Sequence, residues 1–599
     1  MCGILGSIGS SPDREMFANA LSGMEHRGPD ALRQIDVRLG DRRVLLGFAR
    51  LAIQDLSPAA DQPLSRGTCT VLFNGEIYNA DRVREELSGR GSTFITTGDA
   101  EVVAEAISVF GFLAAVKRFD GMFAIAAYDH VQQRLWLARD RFGIKPLFVH
   151  CSGGELAFAS EVAALLDLIP SLTADVDIDY LARKSLLDPF IGFDPTRTAF
   201  RQVQALAPGT VATWHEGILS ETPYYDLLEA ANAPRDPIDL SETFARVVRE
   251  HTVSDASLGF ALSGGLDSSL ILATAAAQGG DLVAFTLDFG PNSLEFDEDG
   301  RWAALLAQRL LSTSGRHEIL PSPPPWTLEQ IDACVRTLAS PLYDDRVRVW
   351  DHIYSQVSRT GVRVVLNGQG ADEFWYGYYP QIWSWFSQIY HRPHEADSYL
   401  DYFRTRWHES PLSGVLDPAH EARLDDLARE VFQTVDDQGS GNDTRRKVSA
   451  FLVRTCLGAI LEFEDLMSMR SGVEVRVPFL DRELAEEAFR IPSAQHLPGD
   501  EPSGKALLKD ALGGCLPSEI VHRRKQPLPK TTSGGAELLA LFEEHLPQMR
   551  EHPLVQALYL PEELKRLVDP GVEGSFYGNL DEARLQVLST WRFGEVFHG

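Results

Sequence analysis

Several features are scarce in this 599-residue chain, and each scarcity closes off a class of protein. No stretch approaches the roughly 20 consecutive apolar residues that span a bilayer, so no membrane partner is expected. The start of the chain lacks a basic segment followed by an apolar core, which predicts no secretion and a cytoplasmic location. Positive charge is short: 56 Lys and Arg stand against 85 Asp and Glu, a formal net charge of −29. Such a balance argues against nucleic acid as a partner, because non-specific binding needs a basic footprint. The six cysteines (Cys2, Cys69, Cys151, Cys334, Cys456 and Cys515) lie far apart and form no CxxC pair. That spacing offers neither a zinc site nor a disulfide scaffold and suits a reducing compartment. There is no internal repeat, and the G-x-x-x-x-G-K-[ST] phosphate loop is missing.

What is present is ordinary globular material, 44% hydrophobic and 24% charged, in a chain long enough for two or more domains. To about residue 210 it reads as short β-rich segments (43–48, 70–73, 121–128, 134–138 and 155–159) interrupted by helical patterns near 13–24, 81–87 and 101–110. That is mixed α/β with hairpins, and it predicts antiparallel sheets. Residues 211–240 are weakly periodic and contain prolines, so they read as the connection between domains. From about 241 apolar runs at 258–262, 282–287 and 362–366 alternate with long helices, as in a buried parallel sheet. Helices dominate from about residue 448. Segments 321–325, 436–443 and 530–535 read as surface loops.

Cys2 stands apart from the other cysteines because of its position. If Met1 is removed, one residue carries both a thiol and a free α-amine. The amine, with an ordinary pKa of about 8, can take the thiol proton without a separate histidine. Four other segments suit hydrolysis of an amino-acid amide: His26-Arg27-Gly28-Pro29-Asp30, Arg50-Leu51-Ala52-Ile53, Asn74-Gly75-Glu76-Ile77-Tyr78-Asn79 and Gly98-Asp99-Ala100-Glu101. The Asn74 amide and the Gly75 N–H can donate to a tetrahedral oxyanion. Arg50 can hold an α-carboxylate, and Glu76 and Asp99 an α-ammonium. Taken singly, each is a common surface or turn residue.

Together, in order and spacing, these segments resemble the N-terminal-nucleophile glutaminase domain of the glutamine-hydrolysing asparagine synthetase family. The pattern continues through Phe119–Ala124, Arg139–Leu147 and Phe158–Glu161. The resemblance implies an α+β domain at 2–210, an αββα sandwich, with Cys2 as nucleophile, Asn74 and Gly75 as oxyanion hole, and Arg50, Glu76 and Asp99 gripping glutamine. It implies a second, α/β domain at 241–599, an ATP pyrophosphatase fold with a parallel sheet and a helical C-terminal part.

In that second part Leu262-Ser263-Gly264-Gly265-Leu266-Asp267-Ser268-Ser269 follows an apolar strand and opens a helix. Glycines admit an anion to the backbone, and hydroxyls and free helix N–H groups can donate to phosphate. The segment looks like the pyrophosphate loop of N-type ATP pyrophosphatases, which implies cleavage of ATP to AMP and pyrophosphate through an acyl-adenylate. The resemblance also places Ala261, Leu287, Asn367 and Gly368 at the nucleotide and Asp267 with Asp372 on Mg²⁺, an ion suited to carboxylate and phosphate oxygens. It makes Lys525 the cation facing the departing phosphates, extends the match through Glu464-Asp465 and Glu474–Asp481, and admits a homodimer.

Two features depart from the pattern. Gln369 fills a position commonly acidic in asparagine synthetases, and an amide cannot act as a base; Glu474 is the carboxylate that could serve instead, as the base or as an electrostatic partner. Arg346, Arg348 and Trp350 occupy a region where the family usually carries small hydroxyl residues, and they either reshape the pocket or lie on other faces of a helix. The expected function is therefore a glutamine-dependent amidotransferase with aspartate as default acceptor. Its rivals are the same chemistry on another carboxylate in natural-product or surface-sugar synthesis, a lactam-forming cyclase that uses no glutamine, and a scaffold without activity.

Overall fold

The computed structural model describes residues 2–10, 13–39, 42–187, 194–288, 297–312, 314–378, 396–436, 443–498, 504–523, 534–569 and 579–598. The first part supplies twelve strands: β1 (Gly3–Gly9), β2 (Ala31–Leu39), β3 (Arg42–Arg50), β4 (Leu64–Arg66), β5 (Cys69–Ile77), β6 (Gly121–Asp129), β7 (Arg134–Arg139), β8 (Phe148–Ser152), β9 (Glu155–Ala159), β10 (Gln204–Ala205), β11 (Thr210–His215) and β12 (Ile218–Pro223). They form two six-stranded sheets, in the orders β10-β8-β9-β1-β3-β2 and β12-β11-β7-β6-β5-β4. Every described pairing within them is antiparallel, as the short alternating segments predict.

Period-2 alternation builds the layers. On β3, Val44, Leu46 and Phe48 enter the core between the two sheets, joined there by Ala124 and Ala126 of β6. The intervening Leu45 faces the other way, into the cluster with Phe17, Leu21 and Leu165 of two covering helices. The intervening residues of β6, Phe123, Ile125 and Ala127, pack with Val102, Val103 and Ala106 of the helix Asp99–Phe110. Helices therefore close both outer faces of a sheet-on-sheet sandwich.

The domain connection is shorter than the sequence suggests. β11 pairs with β7 and β12 with β11, so the sheet runs to Pro223 inside the expected connection 211–240. The alternation of Val211, Ala212 and Trp214, all buried against the sandwich, was the signal for it.

The second part carries five strands, β13 (Leu258–Ala261), β14 (Val283–Leu287), β15 (Arg316–Leu320), β16 (Val364–Leu366) and β17 (Glu474–Arg476), in the order β15-β14-β13-β16-β17. All four pairings are parallel. Connections leave β13 toward β14 and β15 on one side and return to β16 on the other. The crevice at the carboxyl ends of β13 and β16 is a topological switch point, where open parallel sheets bind ligands. No described helix is long and apolar enough to cross a membrane.

Candidate active site and nucleotide site

Cys2 lies one residue before β1, a central strand of the first sheet, and is 8% exposed. The pairing Gly3↔Ala49 brings it to the end of β3 that carries Arg50. Its backbone N–H donates to Asn74 Oδ1 at 2.9 Å, and its thiol points at the Leu51 carbonyl, 3.8 Å away. Burial pushes the thiol pKa up, with Glu474 adding to the rise and Arg50 opposing it. A base must therefore take the thiol proton before sulfur can attack.

Asn74 sits on β5, fully buried, and its Nδ2 has no hydrogen-bond partner. Because Oδ1 receives the Cys2 amide, Nδ2 is the free end of the side chain. An unpaired buried donor costs about 1–3 kcal/mol, and here it belongs to the side chain that receives the Cys2 N–H. Gly75 follows; a Cβ there would lie 2.0 Å from the Met122 carbonyl of β6, so only glycine allows the two strands to approach.

The other glutamine residues are already committed. Arg50 donates to Ser57 O at 2.8 Å, Asp61 Oδ1 at 2.6 Å and Asp55 O at 2.5 Å, which fixes the loop after β3. Asp99 accepts from the Ile77 N–H at 2.9 Å. Burial pushes Asp99 up to about 6, and Glu474 contributes to the rise. Glu76 accepts from Gln54 Nε2 at 2.5 Å and pairs at 3.0 Å with Arg476, a residue of the second domain. Burial and the carboxylates of Glu474 and Asp99 raise the Glu76 carboxyl, with Arg476 pulling against them.

Glu474 belongs to this cluster, a position that suits the electrostatic partner rather than the base of the synthetase site, the two roles the sequence left open. It pairs with Val364 at the amino end of the parallel sheet, whereas the switch-point crevice lies past Leu366. Its Oε1 accepts from Arg476 Nε at 2.6 Å. Burial opposes its ionisation, but the positive charges around it, Arg476 and Lys145 among them, hold its pKa down to about 2. A carboxylate so acidic and so placed is an electrostatic anchor at the domain boundary.

Two residues that sequence reasoning passed over complete that boundary. Arg27 is fully buried; its Nε donates to the Cys2 carbonyl at 3.2 Å, one terminal nitrogen to Glu161 at 3.1 Å and the other to Asp465 at 2.8 Å. Lys145 reaches the second oxygen of Asp465 at 3.2 Å. Glu161 is held down to about 2 against the effect of burial by His26 and Arg27. The partners Glu161 and Asp465 lie 134 and 438 residues from Arg27 in the chain, so spacing gave no sign of the pairing.

At the other end of the second domain, β13 runs through Ala261 into the loop at Ser263 and the helix Leu266–Gln278. Gly264 has φ +73°, and a Cβ would meet the Asp299 carbonyl at 2.6 Å. The Gly265 position gives the helix no side-chain cap, so its first N–H groups remain available to an anion. Ser263 and Ser268 hydroxyls lie 3.1 Å apart, and Ser269 Oγ donates to Gly265 O at 2.5 Å. Leu287 ends β14 beside this loop, and a Cβ on Gly368 would touch Asp267 Cβ at 2.8 Å, so β16 ends against it too. Asn367 is turned inward: its N–H donates to Arg476 O at 3.0 Å and its Nδ2 to Glu464 Oε1 at 2.7 Å.

Asp267 and Asp372 converge. The Lys505 ammonium lies 2.5 Å from one oxygen of each, an arrangement the sequence did not suggest. Two carboxylates brought to one cation fit an Mg²⁺ site completed by phosphate oxygens; among the described residues no group of three metal-binding side chains gathers. Arg523 donates to Gly264 O at 3.0 Å, but Lys525 and most of the expected loops at 436–443 and 530–535 lie outside the described residues. Arg348 turns from the crevice, donating to Pro324 O at 2.6 Å and Asp345 at 2.9 Å, and Trp350 is buried in the core. Arg346 is clamped to Asp344 at 2.8 Å.

The whole chain can now be compared with known proteins. The family model described as a glutamine amidotransferase domain matches residues 1–225, and the one described as asparagine synthase matches residues 239–591. The chain belongs to the asparagine synthase family. It is a glutamine-dependent carbon–nitrogen ligase by family. This asparagine synthase family member is 28% identical over 583 residues to asparagine synthetase [glutamine-hydrolyzing] 3 of Bacillus subtilis (strain 168), covering 90% of this chain and 89% of that one. It is 26% identical over 556 residues to asparagine synthetase [glutamine-hydrolyzing] of Mus musculus, covering 88% and 83%. Among solved structures, a glutamine phosphoribosylpyrophosphate amidotransferase from B. subtilis aligns with TM-score 0.29 and 15% identity over 54% of this chain and 82% of that one. At that score the fold rests on the sheets described above and not on the likeness.

Proposed function

We propose that Cys2 releases ammonia from glutamine and that the second domain condenses it with an adenylated carboxylate, aspartate being the first acceptor to test. The observation that carries the first half is the unpaired, buried Nδ2 of Asn74 beside Cys2. Once Met1 is removed, the Cys2 amine takes the thiol proton and sulfur adds to the glutamine amide carbon. The oxyanion meets Asn74 Nδ2 and the Gly75 N–H. Ammonia leaves, and water frees glutamate from the thioester. Arg50 and Asp99 serve the α-carboxylate and α-ammonium, and Glu76 acts with Asp99 from its pairing with Arg476.

In the second half an acceptor carboxylate oxygen attacks the α-phosphorus of ATP, giving acyl-adenylate and pyrophosphate. The Ser263–Ser269 loop cradles the phosphates, Ala261, Leu287 and Asn367–Gly368 border the nucleotide, and the family resemblance gives Lys525 the leaving pyrophosphate. Asp267 and Asp372 would hold Mg²⁺, which neutralises the charge that develops on the phosphates; the Lys505 ammonium between them supports the pair as a cation site. Gln369, held at the end of β16 by its N–H to Asn367 Oδ1, favours a second reading in which the acceptor is another carboxylate.

The test is a pyrophosphate-release screen over carboxylates with ammonium as nitrogen source, alongside glutamate release from glutamine. Aspartate should give pyrophosphate and asparagine. Pyrophosphate from another carboxylate alone would assign the second reading, and no glutamate release would sink the glutaminase half.

A further inference from the structure

Glu464 is a buried carboxylate to which nothing above gives work. It lies on the helix Gly458–Met469, whose next residue, Asp465, turns to the opposite side and takes Arg27 and Lys145. Glu464 itself turns to the end of β16 and is 3% exposed. Its Oε1 accepts from the Tyr354 hydroxyl at 2.5 Å and from Asn367 Nδ2 at 2.7 Å. Its Oε2 is buried and accepts no hydrogen bond. The Gln369 side chain comes close enough to bear on the same carboxylate. Asn367 Oδ1 in turn accepts the Gln369 N–H at 3.1 Å, so the carboxylate, the amide and the strand end form one unit beside the pyrophosphate loop.

Amide formation needs a base at this place. Ammonia adding to an acyl-adenylate carbonyl gives a tetrahedral adduct with positive nitrogen. That nitrogen must shed a proton before the adduct collapses to amide and AMP. Gln369 has no proton-accepting capacity near neutral pH. Glu373, the nearby acid, accepts from the Tyr378 hydroxyl and bears on the Lys505–Asp267 pair, on the phosphate side. We infer that Glu464 is the general base of the amide-forming step: Oε2 takes one proton from the nitrogen as the C–N bond forms, and the C–O bond to AMP then breaks. The inference rests on the adenylation reading proposed above. The resulting carboxylic acid returns its proton to solvent before the next turnover.

The groups facing Glu464 are suited to this work. Burial raises its carboxyl; Tyr354, Asn367, Gln369 and the Lys145 ammonium lower it, and burial wins. A carboxylate shifted upward is the stronger base near neutral pH. Its open oxygen holds no hydrogen bond of the fold.

The test uses the full chain with ATP, Mg²⁺, ammonium chloride and aspartate, or the carboxylate with the largest signal in the screen above. Pyrophosphate exchange into ATP reads adenylation, and amide product reads the second step. In Glu464→Gln the amide oxygen still accepts from Tyr354 and Asn367, so exchange should persist while amide formation falls about 10²–10⁴-fold. The acid limb of the parent's amidation profile should vanish. Tyr354→Phe removes a donor that lowers the Glu464 pKa, so its acid limb should move to higher pH; this arm stands even if Glu464→Gln fails to fold. Equal loss of exchange and amidation in Glu464→Gln, or an unmoved acid limb in Tyr354→Phe, would overturn the assignment. Exchange with no carboxylate in the parent chain would overturn the adenylation reading and this inference with it.

Discussion

Replacing Arg476 by Met should destabilise the protein in a pH-dependent way. Arg476 is fully buried; Nε reaches Glu474 at 2.6 Å, one terminal nitrogen reaches the carbonyls of His251 and Val253 at 2.8 and 2.7 Å, and the other reaches Glu76 at 3.0 Å. Met fills much of the stem volume, so the loss is electrostatic. Removing one member of a buried ion pair costs about 3–5 kcal/mol. The sign follows from Glu474, whose pKa is held at about 2 in the folded protein against an ordinary 4.5. A depressed carboxyl stabilises the fold above pH 4.5 and loses that contribution as pH falls toward 2. The variant's deficit should therefore be full at pH 7.5 and shrink below about pH 5, as the unpaired carboxylates take up protons. Thermal unfolding in matched salt should show a midpoint lower by roughly 5–10 °C at pH 7.5, converging on the parent with acidification. Adding Glu76→Gln to the variant should recover part of the loss, since it removes one stranded charge. A deficit below about 1 kcal/mol, or one that does not shrink between pH 7.5 and the window from 4.5 to 2 in which Glu474 titrates, would refute the reasoning.

Three further outcomes are expected. Cys2→Ala should cut glutamine-supported amide formation by at least about 10⁴-fold while ammonium still supports it; loss of both would show that the two halves do not work independently. Gly75→Ala places a Cβ 2.0 Å from the Met122 carbonyl, so glutaminase kcat should fall about 10²–10³-fold as the oxyanion donors move, with ammonium-dependent activity as the control. Lys505→Met leaves Asp267 and Asp372 without the ammonium between them; unfolding scans should show Mg²⁺ stabilising this variant more than the parent, and equal stabilisation would count against the carboxylate pair as the metal site.

Much of the molecule could be read from the chain alone, for reasons that are local. Alternation along β3 and β6 gives strands with two buried faces, because neighbouring side chains point to opposite sides of a sheet. Gly264 and Gly75 mark places where backbone must come close to something, and the loop at Ser263–Ser269 is legible through the strand before it and the helix after it. The role of Glu474 stayed open because a carboxylate in a familiar segment says nothing about which end of a parallel sheet it occupies; pairing with Val364 fixed its position. The β11–β12 hairpin was hidden because its partner, β7, lies some 70 residues away in the chain.

The two-part organisation and the strand–loop–helix at Ser263–Ser269 were therefore determined by sequence, since each depends on patterns within short segments. The meeting of the parts was decided only in three dimensions. Arg27 finds Asp465 across 438 residues, Arg476 finds Glu76, and Lys505 finds Asp267 across 238. A buried charge needs an opposite charge within a few ångströms, and only the packed fold specifies which residue provides it.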